Sequence, residues 1–117
     1  MSTQQTLKKI NLKVNERKAL RELKERLVKK YPGAEVILYG SKARGDFDKE
    51  SDIDLLILVE PPVTSRLEEE ITHITFDIEL NYDVVFGKIV ESKDFWNSYL
   101  AKAMPLHWNI EKEGVYI

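Results

Sequence analysis

Apolar residues recur at two different periods along this chain, and the switches between them mark out its elements. Leu20, Leu23, Leu27 and Tyr31 fall three and four apart, the spacing of one face of an α-helix. Asn15 stands where it can cap that helix, and Pro32-Gly33 ends it. The run AEVILYG is short, apolar and β-branched, which predicts a buried strand over Glu35–Tyr39 with a sharp turn out of it at Gly40. SDIDLLILVE predicts a second strand, closed by Pro61-Pro62 because proline cannot continue a ladder. Ser65 with Glu68 three residues on makes a capping box, and Leu67, Ile71, Ile74 and Ile78 form a helical stripe behind it that Asn81 can close. YDVVFGKIVE reads as a third strand. Ser92 can cap a further helix carrying Phe95, Trp96, Tyr99 and Leu100, Pro105 breaks it, and LHWNIEKEG reads as a last helical turn or two closed by Gly114.

Strands separated by helices indicate an α/β or α+β layer with helices packed on a small sheet. No repeat, low-complexity tract or Gly/Ser linker interrupts the pattern, so residues 1–117 read as one domain, loose over residues 1–14. One domain's length leaves no room for a separate substrate domain, so the acceptor is expected to come from elsewhere. No apolar run approaches the roughly 18 to 20 residues of a membrane span, and the N-terminus lacks the apolar core of a secretory signal. Without cysteine, disulfides, thiolate chemistry and Cys-based zinc sites fall away together, and a cytoplasmic location is the default.

Charge changes this picture in one respect. Residues 1–44 carry 12 Lys+Arg against 4 Asp+Glu, whereas residues 45–117 carry 6 against 16. A basic surface beside an acidic pocket suits a protein that handles a triphosphate through metal ions, or one that docks on RNA or an acidic partner. Much of the positive charge lies on the first helix, where Glu22 and Arg26, then Glu25 and Lys29, fall at i,i+4 as ordinary surface pairs.

The chemistry concentrates in YGSKARGDFDKESDIDLLILV, residues 39–59. Residues i and i+2 of a strand share a face, so Asp52 and Asp54 present two carboxylates side by side, their Cα atoms about 6.6 Å apart. Carboxylates on an otherwise Leu/Ile-rich strand are costly unless paired or bound to metal. Mg²⁺ takes hard oxygen ligands and is typically held by one or two carboxylates together with substrate phosphates. Two ions about 3.5 to 4 Å apart could share the pair and clamp the attacking and leaving oxygens of an in-line displacement. Gly40 and Ser41 supply the other half, a bend that backbone and hydroxyl can close on a phosphate, with Lys42 and Arg44 adding positive charge nearby.

These residues resemble the minimal nucleotidyltransferases of the DNA polymerase β superfamily. Gly40-Ser41, ten intervening residues and Asp52-Ile53-Asp54 match the signature, and Ala43-Arg44-Gly45 with Ser51 match its extended form. A weaker likeness runs from about residue 15 to the closing NIEKEGV. The resemblance implies the nucleotidyltransferase fold, a small mixed sheet with flanking helices. It further implies ATP as nucleotide donor and Mg²⁺, two ions, as cofactor, with a third carboxylate on a neighbouring strand that binds metal and helps deprotonate the acceptor. Asp83 is the candidate for that role, ahead of Asp77 and Glu79 on the preceding helix, although it also fits a turn after Asn81. Family members of this size pair with a small helical toxin of the HEPN class and adenylylate a tyrosine on it, which implies a macromolecular partner of that kind, RNA contact through it, and an antitoxin role. Two other readings stand beside this one: a module that neutralises its partner by contact alone, favoured if Asp83 points away from Asp52 and Asp54, and a transferase for a small molecule or an RNA end.

The remaining polar and aromatic residues point to structure rather than chemistry. His73 and His107 stand alone in their segments, without a second histidine at metal-ligand spacing. Asp46, Asp48 and Glu50 read as a solvated loop. Phe76 and Leu80 fall opposite the third helix's apolar stripe and make either a partner surface or core against another helix. Trp96, Tyr99, Trp108 and Tyr116 are expected to pack into the core.

Overall fold

The computed structural model describes residues 10–45 and 52–117. Helix α1, Val14–Lys30, leads into β1, Glu35–Tyr39, and a single helical turn α2, Ser41–Arg44. Strand β2, Ile53–Val59, is followed by α3, Ser65–Tyr82, and β3, Phe86–Ser92. The short helices α4, Lys93–Trp96, and α5, Tyr99–Lys102, precede α6, Pro105–Glu113, and a two-residue strand β4, Val115–Tyr116. The four strands lie in the order β3-β2-β1-β4. β1 runs antiparallel to both β2 and β4, and β2 runs parallel to β3, with α3 as the crossover such a pairing requires. The result is the mixed sheet with flanking helices that the sequence implied.

β2 is apolar without alternation because both faces of the sheet are covered. On one face Leu55, Ile57 and Val59, with Val36 and Leu38, meet Leu20, Leu23 and Leu27 of α1 and Ile71, Ile74 and Ile78 of α3. On the other, Leu56, Leu58 and Ile37 form a smaller cluster with Trp96 and Ile110. Both expected stripes thus face inward, while Phe76 and Leu80 remain largely exposed.

The differences from expectation lie at element ends and near the C-terminus. α1 starts at Val14, because Glu16 Oε1 accepts the Lys13 N–H at 2.8 Å, and Asn15 instead donates from Nδ2 to the Tyr82 carbonyl at 2.9 Å. Thr64, not Ser65, caps α3, its hydroxyl accepting the Leu67 N–H at 3.1 Å. α3 runs past Asn81 to end on Asp83, so β3 begins at Phe86 rather than Tyr82. Ser92 caps α4 as expected, but Ser98 accepts the Ala101 N–H and starts a new helical turn, dividing the expected helix in two. β4 went unforeseen, since two residues are too few to show a period. Trp96 is buried and stacks on buried His107 with ring centroids 4.4 Å apart. Tyr99, Trp108 and Tyr116 are not core, being 93%, 66% and 46% exposed. Tyr99 and Trp108 lie on the short helices α5 and α6 and Tyr116 on strand β4, and Lys112 Nζ sits 5.5 Å from the Trp108 ring centroid.

Candidate active site

Asp54 is the one residue of β2 that is not buried, and Asp52, just before the strand, is exposed. The strand starts at Ile53 rather than at Asp52 as expected, and Asp52 lies close enough for its charge to act on Asp54. In the ladder Asp54 lies opposite Tyr39 of β1 and beside Gly87 of β3. Its carboxylate is held between two glycines: a Cβ on Gly40 would stand 2.4 Å from Oδ2, and one on Gly87 would stand 2.8 Å from Oδ1. Any side chain at either position would occupy the space the carboxylate uses. Gly40 also carries φ +79°, which L-residues with side chains seldom adopt. The two glycines leave the space beside both oxygens of Asp54 free of side chains, and with Asp52 the carboxylate offers hard-oxygen donors of the kind a divalent cation takes.

The electrostatics agree with the geometry. Burial, and then the neighbouring Asp52 charge, push the Asp54 carboxyl above its ordinary range, with Arg44 opposing them. Burial and Asp54 likewise raise the Tyr39 hydroxyl. A carboxyl held above its ordinary range by burial and a neighbouring negative charge is one whose ionised form a bound cation would favour.

The other candidates divide. Gly40 and Ser41 form the bend between β1 and α2, directly against Asp54, and both are partly accessible. Arg44 is close enough to lower the Asp54 carboxyl, and its Nη1 meets Glu113 Oε1 at 3.1 Å, which ties the end of α6 to the site. Lys42 is buried, with Nζ 2.9 Å from Glu16 Oε2. Asp83 takes the left-handed C-cap position of α3 at φ 56°. Among the described residues no three His, Asp or Glu side chains gather where they could hold one metal ion, so Asp83 does not join Asp52 and Asp54 in a triad. Asp77 pairs with Arg26 at 2.6 Å, and Glu79 Oε2 accepts the Phe86 N–H at 2.8 Å, so both serve the fold. Ser51, Asp46, Asp48 and Glu50 lie outside the described residues.

Two residues of this region escaped sequence reasoning. Gly87 had a signal, since a glycine inside a strand marks a close approach, but only the β2–β3 register says that Asp54 is what approaches. Glu16 had none, because an acidic residue in a first helical turn is ordinary.

A sequence model of the nucleotidyltransferase domain family matches residues 20–107, and the chain belongs to that family. Two proteins of Methanocaldococcus jannaschii, each carrying the name "Putative protein adenylyltransferase", are similar to it. MJ0604 is 36% identical over 103 residues, covering 86% of this chain and 96% of its own length. MJ0141 is 42% identical over 65 residues, covering 56% of this chain and 66% of its own length. No helix among the described residues is long and apolar enough to cross a membrane.

Proposed function

We propose that this nucleotidyltransferase moves AMP from ATP to a hydroxyl of a partner protein, as the antitoxin half of a pair whose other half is a small helical protein of the HEPN class. The observation that carries the transfer reading is the Asp54 carboxylate in its glycine-walled notch, two residues from Asp52 and against the Gly40-Ser41 bend. The names of the two archaeal relatives support a protein as acceptor. The helical partner and its RNA contact rest on family resemblance alone.

In the reaction, Asp52 and Asp54 would hold Mg²⁺, and the Gly40-Ser41 bend would orient the triphosphate. The cation, when bound, neutralises phosphate charge and eases loss of the acceptor proton. The acceptor oxygen forms a bond to the α-phosphorus as the bond to the β-phosphate bridging oxygen breaks, so pyrophosphate leaves and the hydroxyl proton passes to a carboxylate of the site. Arg44, 48% exposed at its side chain, can turn toward the charge that builds on the leaving group. Positioning and charge stabilisation do most of the work in such a transfer.

The separate placement of Asp83 favours a second reading, in which the protein neutralises its partner by contact alone. One experiment separates the two. Purified protein is incubated with α-labelled ATP, Mg²⁺ and the product of its genomic neighbour: label on the neighbour supports transfer, and neutralisation of the neighbour without label rejects it in favour of contact.

A further inference from the structure

The Glu16–Lys42 contact is used by none of the chemistry above, yet it is a fully formed ion pair inside the protein. Glu16 is 5% and Lys42 7% exposed, with Lys42 Nζ 2.9 Å from Glu16 Oε2. The other oxygen, Oε1, accepts the Lys13 N–H. One carboxylate therefore joins the chain entering α1, the first turn of α1, and α2. Taking two charges out of water is costly, and packed apolar side chains of the same volume hold elements together equally well. What the ion pair adds is direction.

Direction is what α2 lacks on its own. A four-residue helix is too short to be stable by itself, and its N-cap, Gly40, has no side chain to secure it. Ala43 is buried in the larger core and supplies packing, but a methyl group tolerates rotation. Lys42 lies next to Ser41, so anchoring its ammonium fixes the orientation of the bend. The tolerance there is small, because the backbone of Gly40 approaches the Asp54 carboxylate more closely than any Cβ would permit.

We infer that Glu16 and Lys42 are a positioning pair that locks the Gly40-Ser41 bend to α1 in register with Asp54, and that Lys42 serves the site through this lock rather than as a ligand of the phosphates. The inference rests on the reading of that bend as the phosphate grip.

Two measurements on Glu16→Gln, Lys42→Met, Lys42→Arg and the double variant Glu16→Leu/Lys42→Met test it. The first, amide hydrogen exchange across Ser41–Arg44 without nucleotide, does not depend on the function. The second is the calorimetric affinity for ATP with Mg²⁺. Glu16→Gln and Lys42→Met are expected to speed exchange at the bend about tenfold relative to α3 and to weaken ATP by a similar factor, because coupled residues fail together. Lys42→Arg, which keeps the charge, should restore most of both. The double variant, its pair replaced by apolar groups, should remain folded with the bend still loosened, which keeps the test open if a single variant unfolds. Unchanged exchange at the bend in Glu16→Gln would overturn the lock. Tighter ATP binding in Glu16→Gln, with loss in Lys42→Met, would mean that freeing Lys42 creates a ligand, and would overturn the positioning role. If the exchange results hold while wild-type protein binds no ATP, the lock stands and the phosphate reading fails.

Discussion

The two faces of the sheet are built from similar residues but do different work. On the α1/α3 face, the Leu and Ile stripes of two helices meet the strand residues in one continuous cluster. On the α4–α6 face the cluster is smaller, closed by Trp96 and Ile110, and the same face carries Asp54 and Gly87 at its upper end. A long amphipathic helix covers a sheet completely, whereas three short helices cover it in part and leave a strand end open to ligand. The larger face therefore stabilises the fold, and the smaller one trades coverage for access.

That contrast can be broken most sharply at Asp54. Asp54→Ala is expected to lower Mg²⁺-dependent nucleotidyl transfer by about a thousandfold or more, since several kcal/mol of charge stabilisation goes with the cation, while circular dichroism stays unchanged. Retained transfer would remove Asp54 from the mechanism.

Stability should respond in the opposite place. Ile71→Ala, on the larger face, is expected to cost about 3 kcal/mol, and Ile110→Ala, on the smaller, nearer 2 kcal/mol because a thin cluster collapses more readily around a cavity. Urea midpoints measure both, and equal losses would show that the two cores are equally rigid.

Gly87→Ala sharpens the comparison from within a strand. Its new methyl would stand 2.8 Å from Asp54 Oδ1, with no backbone strain to confuse the outcome. Cation affinity should fall about tenfold as the carboxylate is displaced, an effect of about 1.4 kcal/mol, with little change in melting temperature. An unchanged titration would show that the notch does not shape the donor set.

The smallest effect concerns pH. Burial and then Asp52 raise the Asp54 carboxyl, so the folded metal-free protein holds that proton more tightly than the unfolded chain does. Stability linked to this group is complete below the ordinary carboxylate pKa and is lost as pH rises through the raised value. Asp54→Asn should therefore raise the melting temperature of metal-free protein at neutral pH, with the gain disappearing in acid. A gain that persists in acid would assign it to something other than this charge.

Much of this was legible before any coordinates. The stripes of α1 and α3 and the strand Glu35–Tyr39 are signals carried by residues a few positions apart, and the Gly-Ser and Asp-x-Asp pairs stand out by their spacing. Element ends were displaced wherever two polar residues competed for one cap, as Thr64 did with Ser65 and Asp83 with Asn81. Exposure of Tyr99, Trp108 and Tyr116 was illegible for a different reason, since whether an aromatic is covered depends on a partner element elsewhere in the chain.

By itself, the order of residues determined most of the helices and strands and which of their faces are apolar, because these depend on neighbours within a few positions. Only the tertiary structure decided that Gly87 stands beside Asp54, that Glu16 reaches Lys42, and that Asp83 ends a helix apart from the pair. Those are matters of register and packing between segments far apart in the chain, where a shift of one residue turns a side chain to the opposite face.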